Sequence, residues 1–213
     1  MSKRASAAGV GRGAFGFLAE PYLVFLIFCG IGLGTVLFRQ PERLALLWAT
    51  LAILGLLYHS RSDVDLAFSL TNVERGAALG LVISVPVLAF LARPLAEFNE
   101  RLYLTDSVVL LFYQVCFVAA PVEEYFFRGI LQARKGSSAG LACYAATALL
   151  FFLPRAPLLA ALLVFVAMGV LGIVYGYVCE RYGLAAAISC HVVVGFVLQV
   201  APSLIASIRA MLA

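Results

Sequence analysis

From Leu158 to Val178 the chain carries no charged side chain, and apolar stretches of similar length recur along it. About 20 apolar residues in a helix cross the hydrocarbon core of a bilayer. There the helix satisfies its own backbone N–H and C=O groups, which is the condition for living in lipid. A soluble globule fails on surface area. Of the 213 residues 64% are hydrophobic and 12% charged, more apolar surface than a body of this size has interior to cover. The expected fold class is all-α: a polytopic transmembrane helical bundle of about seven helices (six to eight) with interfacial amphipathic segments.

Apolar length places the spans at about 21–38, 44–58, 76–92, 107–132, 139–153, 158–178 and 184–206. Arg39 follows the first run without an A-x-A pattern, so that run reads as a retained helix and not a cleaved signal. Arg61 to Arg75 mixes Asp63, Asp65 and Glu74 with Leu66, Phe68 and Leu70, a pattern expected to lie on the membrane surface. His59, at the end of the second span, reads as interfacial. Pro86 interrupts the third span, which a membrane helix tolerates. Residues 93–106, with Arg93, Glu97, Asn99, Glu100, Arg101 and Asp106, read as an amphipathic connector. Lys and Arg in the alternate loops number eight against six, which favours the N-terminus inside. No repeat or long linker appears, so residues 1–213 read as a single integral membrane domain with a polar tail at 1–13.

The net charge of +4 is scattered, which leaves no nucleic-acid footprint. The apolar composition makes the lipid bilayer the expected partner. The five cysteines form no CxxC pair and read as packing residues.

Ionisable groups at membrane depth cost on the order of 2.5–3.5 kcal/mol each, so they need partners or purposes. Ala120-Pro121-Val122-Glu123-Glu124-Tyr125-Phe126-Phe127-Arg128 places three of them within six residues, with apolar sequence on both sides. Glu124 and Arg128 are one turn apart and can pair, and Gln132 continues their face. Glu123 points about 100° away, with Phe127 one turn on, and has no such partner. A carboxylate in a low-dielectric site is a stronger base than in water, which suits the activation of a water molecule. Pro121 frees a backbone carbonyl and makes room for that water. In the last span His191 stands as an oxyanion donor or proton partner to the carboxylates. Adjacent glutamates on a helix do not converge on one point and no HExxH pattern occurs, so neither a metal nor any other cofactor is expected.

Glu-Glu-Tyr-Phe-Phe-Arg-Gly-Ile-Leu-Gln at 123–132 resembles the EExxxR motif of the CAAX protease and bacteriocin-processing family, the CPBP or Abi intramembrane glutamic endopeptidases. The likeness extends through the glycine-containing helix 165–178 and the Arg181-Tyr182-Gly183 turn to His191, and so covers about 107–200. It implies that Glu123 is the base, that Glu124 and Arg128 hold the site, and that His191 donates to the oxyanion. Two positions depart from the family's pattern. The histidine of its FxxxH motif is Arg155, four residues after Phe151, and the asparagine four residues after its last histidine is Gly195. Both are possible auxiliary positions. Myxosortases, which remove C-terminal sorting segments, belong to the same broad family, and the chain is similar to a divergent member of that kind. The resemblance implies an intramembrane endopeptidase, multi-pass in a bacterial cytoplasmic membrane, with a protein or peptide substrate near the membrane as its partner. The other readings are a catalytically inactive protein of the same fold, serving as immunity factor, scaffold or partner-binding subunit, and a small transporter that uses Glu123 as an ion site.

Overall fold

The computed structural model describes residues 20–59, 68–105, 107–152 and 157–212. Among them are seven helices and no strand. They are α1 (Pro21–Gly34), α2 (Gln40–His59), α3 (Leu70–Tyr103), α4 (Val108–Lys135), α5 (Ser137–Phe152), α6 (Leu158–Tyr182) and α7 (Leu184–Leu212). Five of these are long and apolar enough to cross a membrane, while α1 and α5 are shorter apolar helices. Burial is inverted relative to a soluble protein. Leu37, Phe90, Phe117 and Leu159 face outward, whereas Arg43, Ser84, Glu124, Arg128 and Thr147 are enclosed. The chain is an integral membrane protein, because only a lipid surround favours that distribution.

Three expectations change in detail. The first span ends at Gly34, since Thr35–Phe38 turns toward α2. The polar stretch after residue 92 is no separate connector. It continues α3, which runs for 34 residues and bends at Leu91 (φ −122°, ψ 15°). Pro94 explains the bend, because its ring displaces the carbonyl four residues back and removes a donor. The helix resumes because Asn99, Leu102 and Tyr103 bury on its inner face. The surface segment expected at 61–75 lies partly outside the described residues; its last part, from Leu70, forms the first turns of α3. The His59 side chain lies outside the described residues as well.

Small residues set the helix spacing. A Cβ on Gly76 would run into the Ala186 carbonyl, and one on Gly80 would stand 2.8 Å from the Cys190 carbonyl, so α3 and α7 approach at backbone distance. Ser189 Oγ donates to the Val73 carbonyl at 3.0 Å across the same seam. On the other side of the bundle, Arg43 is fully buried and donates to the carbonyls of Gly32 (2.9 Å), Phe151 (3.0 Å) and Leu150. These are carbonyls near the C-terminal ends of α1 and α5, which regular helix geometry leaves without donors, so one guanidinium closes two helices.

Two helices carry widened turns beside prolines. In α4, Tyr113–Ala119 is π-helical, with the Ala120 N–H bonded to the Val115 carbonyl, and Pro121 follows. In α7, Phe196–Val200 is π-helical, with the Ala201 N–H bonded to the Phe196 carbonyl, and Pro202 follows. Proline cannot close the i→i−4 bond, and the wider i→i+5 turn accommodates its ring.

Candidate active site

Glu123 and Glu124 occupy the five-residue α-helical segment Ala120–Glu124, between the π turn before Pro121 and a second one at Tyr125–Gln132. Both side chains are buried, Glu124 completely. Their surroundings differ. Glu124 Oε1 lies 3.2 Å from Arg128 Nη1 and 2.8 Å from His191 Nδ1. Glu123 Oε1 accepts a hydrogen bond from Trp48 Nε1 at 2.9 Å.

The guanidinium of Arg128 is held on several sides. Its Nη2 donates to the Gly172 carbonyl at 3.2 Å, and its carbon sits 4.1 Å from the Tyr144 ring centroid and 5.4 Å from that of Tyr175. A Cβ on Gly172 would come within 2.7 Å of Leu141 and 3.0 Å of Tyr144, so the glycine lets α6 close on this cluster. Gln132 extends the polar row, donating to the Gly176 carbonyl at 3.3 Å and to Glu180 Oε1 at 3.2 Å. The His191 ring stacks on Tyr175 with centroids 4.5 Å apart and 14° between planes, which fixes its orientation.

Glu123 and His191 line one cavity of about 160 Å³. Trp48, Tyr144 and Tyr175 line it, as do Asn99 and Tyr103 of α3 and Gln199 of α7. Phe151 and Phe152 also line it, immediately before the segment that holds Arg155. Arg155 itself falls in 153–156, outside the described residues. Gly195 is buried, and a Cβ there would meet Val115 Cγ1 at 2.6 Å, so valine fills the room an asparagine side chain would need. Among the described residues no group of three or more His, Cys, Asp and Glu is gathered as a metal would require.

Residues 105–197 match the family described as type II CAAX prenyl endopeptidase Rce1-like. Over those residues, somewhat less than half of the chain, the sequence is similar to that family. No curated protein and no solved structure gives a significant match. The CAAX protease match spans α4 to α7, and so takes in Glu123, Glu124, Arg128 and His191. Trp48, Asn99 and Tyr103 come from α2 and α3 and lie outside it.

The structure makes the sequence expectation specific at one contact. His191 reads from the sequence as a partner to the carboxylates, and its Nδ1 bonds Glu124. Glu124 is fully enclosed and already beside Arg128, so the imidazole reaches it across the α4–α7 packing while Glu123 turns to α2. The Trp48 contact was not foreseen. The chain has one tryptophan, inside an apolar span, and an indole N–H at that depth needs an acceptor. That need was the available signal.

Proposed function

We propose that the chain is an intramembrane endopeptidase that hydrolyses peptide bonds of membrane-associated or lipid-anchored proteins, with Glu123 as the base that activates water. The observation that carries this reading is the division of labour between the adjacent carboxylates. Glu124 is engaged by Arg128 and His191, whereas Glu123 has one oxygen fixed by Trp48 and shares a cavity with His191. A base needs a fixed direction and a free lone pair, and the single indole bond leaves Oε2 for water.

Glu123 takes a proton from water, and the water oxygen adds to the scissile carbonyl carbon. The carbonyl π pair moves onto oxygen as an oxyanion. The oxyanion pair then returns to re-form the C=O bond as the C–N bond breaks; the C–N pair stays on nitrogen, which receives the proton from Glu123, giving a carboxylic acid and an amine. The Nδ1 of His191 holds Glu124, and its other ring nitrogen, as N–H, donates to the oxyanion. A bacterial cytoplasmic membrane is the setting this reading implies, and a myxosortase-like sorting role is its narrower form.

The test uses purified protein in nanodiscs with a library of peptides, each carrying either one membrane-spanning helix or a farnesyl group. Products are read by mass spectrometry. The parent is expected to cut a subset of the library, while Glu123→Gln and His191→Ala, folded by thermal melting, cut none. Equal cleavage by parent and both variants removes the proposal. The inactive alternative draws on the Glu124–Arg128–His191 cluster, which also ties α7 to α4 without chemistry. It is favoured if a cellular phenotype survives Glu123→Gln but is lost with Arg128→Met.

A further inference from the structure

The site as described has one oxyanion donor, His191, and the position where the family's pattern places a second is closed. Gly195 offers no side chain and Val115 occupies its surroundings. Further along α7 is Gln199, which lines the same cavity as Glu123 and His191. Regular helix does not bring it there. Eight residues at about 100° each leave Gln199 about 80° away from the His191 direction. The π turn at Phe196–Val200 absorbs one residue, which returns Gln199 to within about 20° of it.

That turn is held in place from α3. Pro202 has no N–H to offer the Leu198 carbonyl four residues back. Asn99 Nδ2 donates to it at 3.0 Å, and to the Gln199 carbonyl at 3.0 Å. The amide of Gln199 is oriented as well. Tyr103 donates its hydroxyl proton to Gln199 Oε1 at 2.6 Å, so the acceptor end is engaged and the NH₂ end is what the side chain offers the cavity.

We propose that Gln199 supplies the second oxyanion donor and that Tyr103 is the residue positioning it. Gln199 takes over the task left vacant at Gly195, from a place the π turn creates. This inference rests on the endopeptidase reading, because it names a donor for that reaction's oxyanion.

The experiment measures kcat and KM separately in nanodiscs, on the library peptide that the parent cleaves fastest. Loss of one oxyanion donor lowers the rate by about 10²–10³-fold. Gln199→Ala is therefore expected to lose about that much in kcat with KM little changed, the pattern of an interaction made only in the transition state. Tyr103→Phe keeps the ring and the packing, so its melting temperature stays with the parent while kcat falls about tenfold, as one hydrogen bond of about 1.4 kcal/mol would give. Gln199→Ala combined with Gly195→Asn and Val115→Ala returns an amide to the closed position and is expected to recover at least about tenfold of the loss, within the range one donor supplies. Parent-like kcat in Gln199→Ala overturns the proposal, as does a loss carried by KM in either single variant. A parent that cleaves nothing overturns the endopeptidase reading itself, so the two failures are distinct.

Discussion

Replacing Arg128 by Met removes the guanidinium but keeps a long apolar side chain in a site where Arg128 is 2% exposed. The fully buried Glu124 carboxylate then retains only His191. Breaking one partner out of a buried ion pair costs about 3–5 kcal/mol, because the remaining charge stays enclosed. Contact of the guanidinium with Tyr144 at 4.1 Å adds up to about 2 kcal/mol where water is excluded. These contributions overlap, and about 4 kcal/mol is the working figure. At about 2–4 °C per kcal/mol for a chain of this length, the melting temperature falls by about 8–16 °C. The decisive assay is a double-mutant cycle with Glu124→Gln, followed by unfolding in mixed detergent micelles. With both charges gone no carboxylate is stranded, so the double variant is expected to be more stable than the sum of the singles by about 2 kcal/mol or more. Single losses below about 1 kcal/mol, or additivity within about 0.5 kcal/mol, refute the claim that the pair is mutually dependent.

Two further substitutions probe the rest of the bundle. Trp48→Phe keeps an aromatic ring against Phe151, whose centroid is 6.1 Å away, but deletes the donor to Glu123, so kcat is expected to fall about tenfold with little change in melting temperature. Gly76→Ala places a methyl against the Ala186 carbonyl and is expected to cost about 1–3 kcal/mol, whereas Gly30→Ala meets nothing within 4 Å and is expected to be neutral or stabilising by about 0.5–1 kcal/mol in the same unfolding assay.

How far such features can be read ahead of a structure depends on their range. The Glu124–Arg128 pairing is a matter of one helical turn, and spacing alone places the two residues together. The long apolar runs likewise mark α4 and α6 closely, since lipid enforces length and composition together. The contact of His191 with Glu124 in preference to Glu123 depends on how α7 rotates against α4, and no local periodicity encodes that. Helical continuity past Pro94 is hidden for a related reason. The polar residues beyond it look like a loop, yet Asn99 and Tyr103 are polar because they serve α7. Gln199 is hard to single out in the sequence because an amide in an apolar span is far less conspicuous than a charge. Its placement depends on a π turn, whose only trace in the sequence is Pro202.

The meeting of α1 and α5 has a consequence for the surrounding lipid. Helices of 14 and 16 residues rise about 21 and 24 Å, against a hydrocarbon layer about 30 Å thick. They are neighbours, with Gly32 against Leu150, and the Arg43 guanidinium sits where both end. Where such a pair stands in a bilayer, the leaflet beside it must dip, and headgroups and water descend toward the arginine. Phe151 belongs to both places, giving its carbonyl to Arg43 and its ring to the cavity wall. The dip therefore forms beside the carboxylates, and bilayer thickness becomes a variable that sets how far a polar peptide bond has to travel to reach them.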